Sequence, residues 1–324
     1  MICKSEAISL MNSLGEGRVP FLFIIDFEMK AIRLFPLDKQ LPGTVLYDFQ
    51  STGNSIVEQG EKDIFTFRKF PMSFEEYDLA FKAVQKQIHV GNSFLTNLTF
   101  PTLVETNLTF REIFFKSTAK YKILLENEFV CFSPETFITI IDGTISTFPM
   151  KGTMKALTPE SERKLLTDTK EIAEHNTIVD LLRNDLSMVA SNIKVNRFRY
   201  IERIRTHEGE LLQVSSEING KLPAGYHTKM GEIIFTLLPA GSVTGAPKEK
   251  TIAIIREVEK ADRGYYTGVC GVFDGSNLNS AVMIRFIENH KGVMRFRSGG
   301  GITFLSNAHT EYDELKDKVY VPIT

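Results

Sequence analysis

Between Phe74 and Ile88 the residues Phe74, Tyr77, Ala80, Phe81, Val84 and Ile88 recur at helical spacing with charges between them. This spacing predicts an amphipathic helix that Ser73 caps and Gly91 ends. Thr109 to Lys116 predicts a short helix. Pro159 to Ala190 predicts the longest one, with Ile172, His175, Ile178, Val179, Leu182 and Leu186 on one side and charges on the other. Further helices are expected near 228–237 and 247–260, and over Ala308 to Tyr320. Strands are expected from Phe94 to Phe100, from Tyr121 to Thr147 with breaks at Ser133-Pro134 and Asp142-Gly143, over about 193–218, and over 268–304 through Gly299-Gly300-Gly301. Residues 1–70 alternate short apolar runs with turn signals at Gly15-Glu-Gly17, Pro42-Gly43 and Thr52-Gly53-Asn54, and read as strands and loops. Strands and helices each come in blocks, without a regular βαβ alternation. The expected class is α+β, with large, mostly antiparallel sheets.

The chain has 324 residues, 43% hydrophobic and 24% charged, enough for a large core without a disulfide or metal staple. A formal charge of −2 gives no sequence-wide electrostatic reason to hold a nucleic-acid backbone or an anionic membrane. The run Phe21 to Ile25 is too short to span a bilayer, has no signal-peptide pattern behind it, and reads as a buried strand. Cys3, Cys131 and Cys270 stand far apart with no CxxC pair, so neither a disulfide framework nor a zinc site is expected, and the compartment is expected to be reducing and cytoplasmic. The sequons at Asn97 and Asn107 are then not expected to be glycosylated.

Glu171 and Glu174 share a three-residue spacing with Glu311 and Glu314. Each pair falls on one helix face, and two such faces opposed would make an oxygen cage for a hard cation such as Mg²⁺; the plain alternative is a solvated helix surface. The loop Gly241 to Lys248 can offer backbone N–H groups and a lysine to an anion at a helix start, although it lacks the GxxxxGK[ST] pattern and also suits a plain helix-joining turn. Gly299-Gly300-Gly301 permits close approach to a ligand or a tight turn. Taken alone, Lys151 reads as an exposed lysine and Glu135 as a strand end. Asp180, Arg183 and Asp185 read as a salt-bridge network. His175, on the apolar face of its helix with no Ser or Cys nucleophile signature, reads as packed rather than catalytic.

Together and in order, SPETF (133–137), PMKGT (149–153), EIAEHNTIVDLLRNDL (171–186), PAGSVTGAPK (239–248), RGYYTGVCG (263–271), SGGGI (298–302) and EYDELKDK (311–318) resemble the chorismate-utilising enzymes. That family includes component I of aminodeoxychorismate synthase and of anthranilate synthase, isochorismate synthases and salicylate synthases. The resemblance covers about Ser73 to the C-terminus. It implies a two-layered sandwich around a central cleft, with 71–324 as the catalytic domain and 1–70 as a shortened N-terminal segment packed on it. Lys151 matches the lysine of members that aminate C4 of chorismate, where anthranilate synthases carry alanine. The implied branch is therefore aminodeoxychorismate synthase component I, also called para-aminobenzoate synthase component I.

By the same resemblance Glu135 is the acid for the leaving C4 hydroxyl and Lys151 the nucleophile at C2. Glu171, Glu174, Glu311 and Glu314 hold Mg²⁺ against the ring carboxylate. Thr153, Tyr266, Arg285, Gly300, Gly301 and Lys318 bind substrate carboxylates, and Lys248 closes its loop on the substrate. Leu95 stands where isochorismate and salicylate synthases carry a water-activating lysine; leucine is no base, which argues against activation of water. Phe148 stands where relatives often place arginine. No Cys-centred glutaminase signature is present, so a separate amidotransferase subunit is expected to supply ammonia. The expected activity is conversion of chorismate and ammonia to 4-amino-4-deoxychorismate, for para-aminobenzoate and folate synthesis. The alternatives are anthranilate synthase component I, against which Lys151 argues, and a catalytically silent chorismate-binding module, against which Glu135, Lys151 and the glutamates argue.

Overall fold

The computed structural model describes residues 1–50, 52–55, 65–155, 158, 160–206 and 209–323. Among them, two nine-stranded antiparallel sheets form the body of the molecule, with helices on the outer faces. The first sheet runs Met150–Lys155, Gly209–Lys221, Thr144–Thr147, Thr136–Ile141, Leu278–Val282, Val269–Phe273, Phe21–Ile25 and Ile32–Pro36, with Ser191–Thr206 paired to Gly209–Lys221. The second is centred on Leu95–Thr106 and Val293–Thr303, continues through Phe286–His290, Phe129–Ser133 and Tyr121–Leu125, and takes Val45–Phe49 from the N-terminal region.

Alternation along Phe21–Ile25 explains its unbroken apolar run. Phe21, Phe23 and Ile25 join the core beneath the helices Lys4–Glu16, Thr169–Ser187 and Met230–Thr236, while Leu22 and Ile24 join the core between the sheets. No helix among the described residues is long and apolar enough to cross a membrane.

Local signals are realised where they are strong. Ser73 accepts a hydrogen bond from the Glu76 N–H at 3.3 Å and opens Phe74–His89; Thr109 does the same for Phe110–Lys116. Four expectations need correction. Lys4–Glu16 is a helix, not strand and loop: its buried stripe is Ala7, Met11 and Gly15, too small to read as periodic, and a Cβ on Gly15 would lie 2.1 Å from the His227 carbonyl oxygen. The long helical pattern resolves into Ser161–Thr167 and Thr169–Ser187, because Asp168 adopts extended backbone. The strand beginning at Leu95 runs past Pro101 to Thr106; at Pro101 it has a neighbour on one side only, where a residue without an N–H is tolerated. The last helix, Ala308–Asp317, is shorter than its pattern.

Candidate active site

Pro134 carries the chain from Phe129–Ser133 in the second sheet to Thr136–Ile141 in the first, and Glu135 sits at this crossing. Its N–H donates to Ser133 Oγ at 3.1 Å and its carbonyl accepts from the Val282 N–H at 3.1 Å, so its backbone is held from both sides. Its Oε1 accepts a hydrogen bond from Ser242 Oγ. Burial pushes the carboxyl above its ordinary range, against the Ser242 bond and the positive charges of Lys151, Arg285 and Lys318. Four expected site residues are thereby grouped at one carboxyl.

Lys151 lies on the edge strand Met150–Lys155, whose register slips at Gly152, a residue at φ +78°. Its Nζ is 3.7 Å from Glu174 Oε2. The glycine strand passes directly against these groups. A Cβ on Gly301 would lie 3.0 Å from Lys151 Nζ, 3.0 Å from Leu95 Cδ1 and 3.5 Å from Glu174 Oε2. A Cβ on Gly300 would lie 3.5 Å from Glu311 Oε2, 3.9 Å from Glu314 Oε1 and 4.0 Å from Lys318 Nζ. Lys318 Nζ is 2.6 Å from Glu314 Oε1 and donates to the Gly299 carbonyl at 2.9 Å. Glu171 approaches the other flank, its Oε2 3.1 Å from where a Cβ on Gly152 would stand. Side chains at these glycines would crowd the lysine and carboxylate tips.

Two of the glutamates are not the solvated surface that helical carboxylates usually form, Glu174 being 6% and Glu311 2% exposed, whereas Glu171 is half-buried and Glu314 exposed. Their hard oxygen donors suit Mg²⁺ chemically. Among the described residues no group of three acidic or other ligating side chains stands together as a metal site; the carboxylates flank the glycine strand, Glu174 beside Gly301 and Glu311 and Glu314 beside Gly300.

Arg285 carries φ +54°, in the left-handed region that costs a residue with a Cβ, and its buried Nε has no hydrogen-bond partner among the described residues. An unmet guanidinium donor at this place suits a carboxylate. Tyr266 lies in the core between the sheets, packed on Phe286, with the Arg297 guanidinium 5.4 Å from its ring centre; burial pushes its hydroxyl to about 12. The side chain of Thr153 lies outside the described residues.

Lys248 departs from its expected role. Its Nζ donates to Asp185 Oδ2 at 2.8 Å and to the Leu237 carbonyl at 3.2 Å, because a buried carboxylate on Thr169–Ser187 requires a cation. It fastens the loop rather than facing the substrate, and the expected network of Asp180, Arg183 and Asp185 splits accordingly, Arg183 pairing with Asp180 at 3.2 Å. Two of the loop's N–H groups, those of Val243 and Thr244, close its own turn. His175 is packed as expected: 1% exposed, with Nε2 2.6 Å from Ser216 Oγ, and lowered by burial and the charges of Arg199 and Lys151 to about 4.

Sequence reasoning missed two groups. Ser242 reaches Glu135 across a separation of 107 positions, which no local pattern encodes. Lys120 brings its Nζ 5.8 Å from the centre of the Phe148 ring and donates to Thr136 Oγ1 at 2.8 Å, so a cation stands beside the position where relatives often carry arginine.

A protein from Haemophilus influenzae described as an "Uncharacterized PabA-like protein" is 50% identical over 316 residues, covering 98% of this chain and 96% of that one. Aminodeoxychorismate synthase component 1 of Klebsiella aerogenes is 32% identical over 334 residues, covering 98% of this chain and 71% of that protein. Among solved structures, MenF, the menaquinone-specific isochorismate synthase of Escherichia coli, superposes with a TM-score of 0.76 at 15% identity, covering 98% of this chain and 81% of that one, a likeness of fold. Residues 50–324 match the family model described as chorismate binding enzyme, and the chain belongs to the chorismate-binding enzymes.

Proposed function

We propose that the chain is the aminating component of an aminodeoxychorismate synthase, converting chorismate and ammonia to 4-amino-4-deoxychorismate for para-aminobenzoate and folate synthesis. The observation that carries this reading is Lys151, whose Nζ lies beside Gly301 and Glu174 in the same cleft as the acid Glu135. Glu135, whose carboxyl burial pushes above its ordinary range, gives its proton to the C4 hydroxyl as the C4–O bond breaks and water leaves. Lys151 forms a bond to C2 through its nitrogen lone pair as both ring double bonds shift, C1=C2 to C1=C6 and C5=C6 to C4=C5. Ammonia then bonds to C4, both double bonds shift back, the C2–N bond breaks to return the lysine, and a proton of the new C4 ammonium restores the Glu135 acid. Arg285 and Lys318 hold substrate carboxylates, and the backbone of Gly300 and Gly301 lets the ring approach. Glu171, Glu174, Glu311 and Glu314 would hold Mg²⁺, which when bound neutralises the ring carboxylate.

The ammonia comes from a separate glutamine-hydrolysing subunit. In support, burial raises the thiols of Cys131 and Cys270 far from nucleophilic range, and Cys3 makes its hydrogen-bond contact with Ser5. Three free thiols fit a reducing, cytoplasmic setting. Mass and ultraviolet analysis of products from chorismate, Mg²⁺ and an ammonium salt tests the reading. Aminodeoxychorismate is expected; anthranilate with pyruvate as the main products, or no turnover, would overturn it.

A further inference from the structure

We infer that Ser242 is a positioning residue for Glu135: by donating to Oε1 it assigns the acidic proton to Oε2, the oxygen left for the substrate. This rests on the reading of Glu135 as the acid. A carboxylic acid carries one proton, and its carbonyl oxygen is the better acceptor of the two; a hydroxyl bonded to Oε1 therefore favours the proton on Oε2. After transfer the same donor faces a carboxylate, and a hydrogen bond to a charged acceptor is stronger than one to a neutral one. Ser242 thus fixes the starting geometry and also favours the state reached when the proton has left.

Both ends of the bond are built to stay in place. Ser242 lies in the 3-10 turn Gly241–Val243, closed by the Val243 N–H on the Ala240 carbonyl and the Thr244 N–H on the Gly241 carbonyl, both at 3.3 Å. Thr244 Oγ1 adds hydrogen bonds to the same two carbonyls at 3.0 and 3.2 Å. Beneath the turn, a Cβ on Gly241 would lie 3.0 Å from Asp185 Oδ2, and Asp185 is itself held by Lys248. Glu135 is anchored through Ser133 and Val282. The opposing effects of burial and of the Ser242 bond on this carboxyl suit an acid that must hold its proton at rest and yet release it.

The test compares Ser242→Ala and Ser242→Thr with the parent enzyme. In the alanine variant the turnover number is expected to fall about tenfold to a hundredfold, as for loss of one hydrogen bond to a charged group, with the KM for chorismate little changed. The alkaline limb of its pH profile moves to higher pH, since the carboxylate has lost a donor, and Ser242→Thr restores both. An unmoved limb in the alanine variant, or a threonine variant as impaired as the alanine one, overturns the inference. Infrared titration of the Glu135 carboxyl in the ligand-free proteins, assigned by Glu135→Gln, separates the two readings. A midpoint raised by Ser242→Ala while no protein aminates chorismate sustains Ser242 and removes the proposed function. An unmoved midpoint in an active enzyme removes Ser242 alone.

Discussion

Lys151 and Gly301 face each other so closely that a Cβ on the glycine would stand 3.0 Å from the lysine Nζ. The strand is missing a side chain where the nucleophile needs room. Gly301→Ala is expected to melt below the parent and to bind chorismate about tenfold or more weakly, because its Cβ would crowd Lys151 Nζ and Leu95 Cδ1 and crowding of a packed site costs roughly 1–3 kcal/mol. Calorimetric titration beside a thermal melt checks both halves.

Lys151→Ala removes the covalent route while leaving Glu135 and the glutamates in place. Turnover to aminodeoxychorismate should drop about a hundredfold or more, with chorismate still bound. With C2 open to ammonia, traces of anthranilate are expected by mass spectrometry. Undiminished aminodeoxychorismate formation by this variant would show that the lysine is no obligatory nucleophile.

The raised carboxyl of Glu135 has consequences for both rate and stability. As an acid it must be protonated, so turnover should decline as pH rises through its folded value. Because the folded value lies above the unfolded one, its contribution to stability is full below the unfolded value and is lost as pH rises through the folded one. At neutral pH, Glu135→Gln should therefore melt higher than the parent while losing activity. A melting point below the parent's at pH 7 would contradict this sign.

Lys248 is expected to matter for the fold. Lys248→Met leaves Asp185 buried without its cation and should lower unfolding stability by roughly 3 kcal/mol. The KM for chorismate should change little. A substrate-binding lysine would show the reverse in denaturant melts and steady-state kinetics.

If the carboxylates along the glycine strand hold Mg²⁺, EDTA should abolish turnover and Mg²⁺ restore it. Glu174→Gln and Glu314→Gln should each raise the Mg²⁺ concentration needed for half-maximal rate about tenfold or more, with melting points near the parent's. Parent-like activity of either variant at limiting Mg²⁺ refutes its assignment.

Legibility followed the range of the interactions. Phe74–His89 was readable because its cap, stripe and stop are neighbours in sequence. Lys4–Glu16 was not, because Ala7, Met11 and Gly15 mark a buried face only once the Met230–Thr236 helix packs on them. In the site, motif order located Glu135, Lys151, Gly300, Gly301 and Lys318, which the fold gathers around one cleft. Motif resemblance placed Lys248 with the substrate-binding residues, whereas its Nζ pairs with the buried Asp185, since a lysine suits a buried aspartate as well as a substrate anion. Ser242 and Lys120 act across strands and loops whose pairing the sequence pattern does not specify.

The buried strand Phe21–Ile25 pairs with Val269–Phe273, Phe21 opposite Phe273. On the ribosome it can pair at once with Ile32–Pro36, but its other edge must wait for roughly 250 further residues before Val269–Phe273 exists, tens of seconds at ordinary rates of synthesis. Throughout that interval one edge of an apolar five-residue strand stands unpaired. Slow translation or a shortage of chaperones should therefore reduce the yield of soluble enzyme even though the finished molecule hides this strand completely.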